Sequence, residues 1–167
     1  MAANKKPRKP HRPKYIARNV LSTVFGGMGG DHIEHLRTIQ IRSHRALAEM
    51  TQGRGTREGW DLLVGAVNMA NVMCEQGIGD EFRAVTIGAR DALLEVGKRI
   101  VTKGRVLLKG DGLGAIREAL ECHDAQLENV RAIDVERAAR EVERRIHHKI
   151  NSTSVIAELH ADNMMGA

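Results

Sequence analysis

Aromatic residues are nearly missing from this chain. Tyr15, Phe25, Trp60 and Phe82 are the full set in 167 residues. Strands favour aromatic and β-branched side chains, and sheets that bind single strands stack bases on exposed rings. Both architectures are therefore disfavoured. Proline occurs only at Pro7, Pro10 and Pro13, so no helix beyond that point has a proline to break it. With only two cysteines, a disulfide scaffold is excluded. Cys74 and Cys122 fall in apolar helical stretches and read as two reduced thiols of a cytoplasmic protein; a single disulfide between them is the alternative. No apolar run approaches the roughly 18 residues of a membrane helix. The longest, Leu62 to Val67, is interrupted by Gly65. The charged start also lacks the apolar stretch of a secretory signal.

Acid is missing too, but only locally. Residues 1–18 hold seven cations and no carboxylate, whereas the remainder holds 19 basic and 21 acidic residues, a balance of −2. The net charge of +5 therefore describes a basic leader on a nearly neutral body. Prolines at every third position favour extended, solvated chain. The expected organisation is a disordered basic arm over 1–18, a helical domain over 19–150 and a loose tail over 151–167. A domain of that size can bury a core of its own, and 42% hydrophobic with 28% charged residues suits a globular body.

Periodicity predicts all-α architecture, an antiparallel bundle of four to five helices. Asp31 and Glu34 fit a capping box for a helix whose stripe is Ile33, Leu36, Gln40, Ser43, Leu47 and Met50. Thr56 is positioned to cap a second helix bearing Trp60, Leu63, Val64, Val67, Asn71 and Cys74. Leu62, Ala66, Met69 and Met73 make a further side of it apolar, so this helix should be central. Asp80 is the expected cap of a third, with Phe82, Val85, Ala89, Ala92, Leu93, Val96 and Ile100 inward. Val106 to Leu108 reads as a lone strand or a buried connection, and Gly110 to Gly114 as a turn. A fourth helix carries Leu113, Ile116, Leu120, His123 and Leu127. Asp134 is the expected cap of a fifth, whose seam is Val135, Ala139, Val142, Ile146 and Ile150. Its Glu136–Arg140 and Glu141–Arg145 pairs have the favourable order. That narrow seam predicts packing on the bundle, with dimerisation as the alternative. Gly59, Gly65, Gly88 and Gly97 are candidates for close helix crossings.

The strongest functional cue is the arm. Lys5, Lys6, Arg8, Lys9, Arg12 and Lys14 are the candidate nucleic-acid contacts. Clustered cations displace counterions from a DNA or RNA backbone and give salt-sensitive, sequence-independent binding. The ordinary alternative is a solubilising tail, or contact with an acidic protein or anionic surface.

Other motifs point less far. The glycines at 26–30 precede a helix whose first turn is acidic, which repels phosphate. Gly110-Asp111-Gly112-Leu113-Gly114 has the wrong spacing for a dinucleotide fingerprint. His32 and His35 lie one turn apart without an evident third metal ligand. His147 and His148 suit a helix C-terminus. His123-Asp124 has the form of the central pair of a metal-dependent phosphohydrolase, but its partners would have to be His44, far upstream, and Asp134. His123 is more simply a buried imidazole hydrogen-bonded across the bundle. No cofactor or metal is predicted. With no nucleophile elbow and no activated cysteine, an enzyme is not expected.

The basic start, Arg42-Ser43-His44-Arg45-Ala46-Leu47, Ala66-Val67-Asn68-Met69-Ala70 and Glu121-Cys122-His123-Asp124-Ala125-Gln126-Leu127 together resemble small helical proteins encoded by phages and prophages of proteobacteria. The resemblance covers roughly residues 5–145. It implies a phage-derived protein working inside a bacterium and carries over no functional residue. The resulting expectation is an accessory protein binding nucleic acid through its arm. The alternative is an adaptor or inhibitor that engages a host protein through the bundle surface.

Overall fold

The computed structural model describes residues 32–147, apart from 104, 105, 107 and 109. The expected arm, the capping Asp31 and the C-terminal tail lie outside the described residues. Among the described residues there are five α-helices and no strand: α1 (His32–Thr51), α2 (Arg57–Glu75), α3 (Arg83–Lys103), α4 (Asp111–Asn129) and α5 (Ala132–His147). A short 3-10 turn, Asp80–Phe82, leads into α3. None of these helices is long and apolar enough to cross a membrane.

The centre of the fold is α2, which packs against all four other helices. Its start follows from Thr56, whose hydroxyl accepts the Gly59 amide (3.0 Å) as an N-cap should. From Trp60 to Cys74 every residue is buried except the half-buried Leu62. Such a run is not one stripe but several. Leu63, Val64, Val67 and Trp60 join Leu93, Val96, Ile116 and Leu120 in one apolar cluster. Met69, Val72 and Met73 join Leu36, Ile39, Leu127, Val135 and Val142 in a second. Each fully buried side chain of this size contributes about 2 kcal/mol by leaving water, so a helix apolar on several sides is most stable where all are covered.

Two contacts set the direction of α3 against α2. The Trp60 indole donates to the Leu93 carbonyl (2.9 Å), and the Thr86 hydroxyl donates to Asn71 Oδ1 (3.3 Å). Position rises along α2 as it falls along α3, so these two helices run in opposite directions. The reversal is made at Gly79, whose φ of +65° is left-handed. A Cβ there would also lie 2.8 Å from the Phe82 ring. Glycine meets both demands.

Several boundaries differ from the sequence expectation. Asp80 does not cap α3: it opens the 3-10 turn behind Gly79, and α3 begins at Arg83. The glycine-rich segment 110–114 is not a turn. Only Gly110 (φ +69°) is one; α4 starts at Asp111 and contains Gly112 and Gly114. Gly112 lies so close to α3 that a Cβ would approach Ala92 to 3.3 Å. Of the two options for 106–108, the described residues bear out the buried connection, with Leu108 in the core. Asp134 lies in the first turn of α5 rather than before it, since the helix begins at Ala132. On α1 the buried stripe includes Ile39 and Ala46, while Gln40 is only half-buried. Gly59 does sit against Ala46, but Gly88 faces open space and serves no crossing.

Candidate functional site

The predicted nucleic-acid contacts Lys5, Lys6, Arg8, Lys9, Arg12 and Lys14 lie outside the described residues, as do the side chains of His32, His35, His147 and His148. The described helices bring together two other polar groupings. Each was only partly visible in the sequence.

The first lies where α1 meets α4. His44 Nε2 donates to Asp124 Oδ2 across 2.6 Å, joining residues 80 positions apart. Both side chains are partly open to solvent. His44 and Asp124 each have a neighbour facing inward, because consecutive helical residues point about 100° apart. These neighbours, Ser43 and His123, are buried and line one internal cavity of about 10 Å³, no more than a water-sized space. The rest of its lining is largely apolar, including Ile39, Leu62 and Met69.

Ser43 Oγ is buried there without a hydrogen-bond partner. Asp134, suspected as the distant acid, belongs to a different cluster: Arg131 Nε (2.8 Å) and Arg137 Nη1 (3.1 Å) donate to it. Hydrogen bonding from Arg131 holds the Asp134 carboxyl below its usual range, with both arginine charges adding to it. Among the described residues no three His, Cys, Asp or Glu side chains converge as metal ligands. The His44–Asp124 contact ties α1 to α4.

Beneath it, His123 is a buried imidazole, but its partner is not across the bundle. Nδ1 faces Gln126 Oε1 on the same helix at 3.4 Å, a long contact. Burial pushes its pKa down, so the ring is held neutral. Gln126 makes the link between helices instead. Its amide nitrogen donates to the Ile78 carbonyl (2.7 Å), the Ala70 carbonyl (3.2 Å) and Cys74 Sγ (3.2 Å). The Cys74 thiol donates onward to the Gly79 carbonyl (2.9 Å). Cys74 and Cys122 are both free, and burial raises both thiols, so neither is an activated nucleophile.

On another face of α2, Asp61 and Asn68 are buried without full satisfaction. Asp61 Oδ1 and both polar atoms of the Asn68 side chain lack partners. Burial alone pushes Asp61 up to about 7.

The second grouping is on α5. Its apolar seam of Val135, Ala138, Ala139 and Val142 lies against α2, and its other faces are charged. Beside the end of α2 is an open groove of about 500 Å³ lined by Arg137, Arg140, Arg144 and Arg145 together with Glu75 and Glu141. Arg145 forms the floor, bonding Glu141 (2.5 Å) and Glu75 (2.6 Å). Arg144 grips Glu141 with two nitrogens, each at 2.7 Å. Hydrogen bonds from Arg144, then Arg145, hold the Glu141 carboxyl down to about 2. Arg140 pairs with Glu136. The spacing 137, 140, 144 is one helix face, a signal that was present in the sequence; that α2 would wall the groove was not.

No family model, curated protein or solved structure matches this chain.

Proposed function

We propose that this protein is a non-catalytic accessory protein of phage type that binds the backbone of DNA or RNA in the bacterial cytoplasm. The observation that carries the reading is the segregation of charge. Seven cations without a carboxylate occupy residues 1–18, and the rest of the chain balances to −2. A leader of this kind neutralises phosphates, while a nearly neutral helical body has room for partner contacts or self-association. The opposed directions of α2 and α3 support an antiparallel bundle as that body. The raised thiols support a structural role for Cys74 and Cys122.

Deleting residues 1–14 tests the reading. Six phosphate-contacting cations leave with them, so the slope of log affinity against log salt for duplex DNA should flatten by about 5. Helical circular dichroism should stay unchanged. An unaltered slope would reject the arm as the binding element.

The alternative is an adaptor acting through the bundle surface. Among the described residues Ile41, Ile133 and Ile87, exposed at 68%, 51% and 37%, are the large apolar side chains open to such a partner. A partner captured equally well after nuclease treatment and arm deletion would favour it.

A further inference from the structure

We infer that the groove between the end of α2 and α5 is a second phosphate-binding surface, which takes a nucleic-acid backbone alongside the arm. The inference rests on the reading of the protein as a nucleic-acid binder, and extends it from the leader to the folded body.

The geometry begins with the seam of α5. Because Val135, Ala138, Ala139 and Val142 are fixed against α2, the face carrying Arg137, Arg140 and Arg144 is held along the groove's edge. Seven residues of helix advance about 10 Å. That length matches two to three phosphates of one strand at about 3.4 Å of axis each. The cations are all arginine; Ala132–His147 contains no lysine. A guanidinium presents a planar fork of donors that fits phosphate oxygens two at a time.

The charges within the groove are graded. Four guanidiniums face two carboxylates. Glu75 and Glu141 are consumed in holding Arg144 and Arg145, and the side chain of Arg145 is only 16% exposed. Arg137 and Arg140 are the outward pair, exposed at 61% and 73%. Arg137 is held by Nη1 to Asp134 and Arg140 by Nη2 to Glu136. A guanidinium has five donors, so such pairing aims the group without exhausting it. Exposed pairs of this type stabilise by only about 0–1 kcal/mol, so exchange onto a phosphate costs little. An acidic peptide is the less suitable occupant. Tight protein contacts centre on buried aromatic or aliphatic anchors, and Val72 is the one large apolar side chain lining this groove.

The test uses full-length protein and fluorescence anisotropy on a short mixed-sequence DNA duplex across a salt series. Arg137→Gln with Arg140→Gln removes two outward cations while keeping helix propensity. The slope against log salt should flatten by about 2, equally for unrelated sequences. Glu136→Gln, which frees Arg140 from its carboxylate, should tighten binding. A parallel variant replaces Lys5, Lys6, Arg8, Lys9, Arg12 and Lys14 with glutamine. If the groove variant keeps the parental slope while the arm variant loses it, the groove inference fails and the proposed function stands. If the groove variant loses slope and the arm variant does not, the groove stands and the arm reading fails. If neither moves, both fail. Should the double variant misfold, Glu136→Gln decides alone, and unchanged affinity counts against the groove. Displacement of the duplex by poly-glutamate at lower concentration than by excess unlabelled duplex would overturn the assignment to nucleic acid.

Discussion

Helices α2 and α5 lie against each other and are built on opposite plans. Between Trp60 and Cys74, α2 carries one ionisable carboxylate, Asp61, and buries almost every side chain. α5 commits a single seam to the core and fills its remaining faces with arginine and glutamate. The first spends its sequence on packing, where small volume changes are felt because interiors are close-packed. The second spends it on exposed ion pairs whose net worth is small. Stability should therefore reside in α2 and its contacts, whereas α5 should tolerate change on its outer face.

The sharpest way to break this comparison is to cut the core of α2. Leu63→Ala and, in the same cluster, Leu120→Ala should each cost about 2–5 kcal/mol in urea unfolding; a loss below 1 kcal/mol would mean that the α2 core is not tightly packed. Gln126→Ala comes next. It strips the Ala70 and Ile78 carbonyls of a donor and leaves His123 without its contact. The expected loss is about 3 kcal/mol, and Gln126→Glu should not restore it, because the amide donors are what the site uses.

Asp61→Asn sharpens the comparison through pH. The folded Asp61 sits near 7, above its ordinary 3.8, because it is buried. The folded state thus binds its proton more tightly than the unfolded chain. The associated stability is present below about pH 4 and is lost as pH rises through 7. Asp61→Asn should remove that loss, with a gain of roughly 4 kcal/mol at pH 8 relative to pH 4. His123 acts with the opposite sign. Burial lowers its pKa, so its contribution is full above about 6.5 and fades as pH falls toward the folded value. A parent protein whose thermal midpoint does not change between pH 4 and 8 while Asp61→Asn also shows no gain would contradict the burial of Asp61.

The smallest effect belongs to α5. Arg140→Ala breaks its pair with Glu136 on an exposed surface, and unfolding should change by about 0.5 kcal/mol or less. A cost comparable to Leu63→Ala would show that α5 is held by its charges and not by its seam.

Much of this division was legible in the residues. Stripes at 3.6-residue spacing placed four of the helices closely, since leucine, valine and methionine leave water only if they share a face. Thr56 and the apolar breadth of α2 fixed its start and its central place. The missteps fall where a local signal competes with packing. Asp80 and Asp134 are good caps by chemistry, yet the left-handed Gly79 and the start of α5 at Ala132 put them elsewhere. The glycines after 110 look like a turn until Ala92 of the neighbouring helix is seen against Gly112.

Helix content, the charge asymmetry between leader and body, and the scarcity of rings are properties of the sequence alone, because composition and periodicity act over a few turns of chain. The joining of His44 to Asp124, the burial of Asp61 Oδ1 without a partner and the wall that α2 gives to a row of arginines depend on residues far apart in sequence. Only the packed helices could decide them, since nothing within a single helix specifies which neighbour its faces will meet.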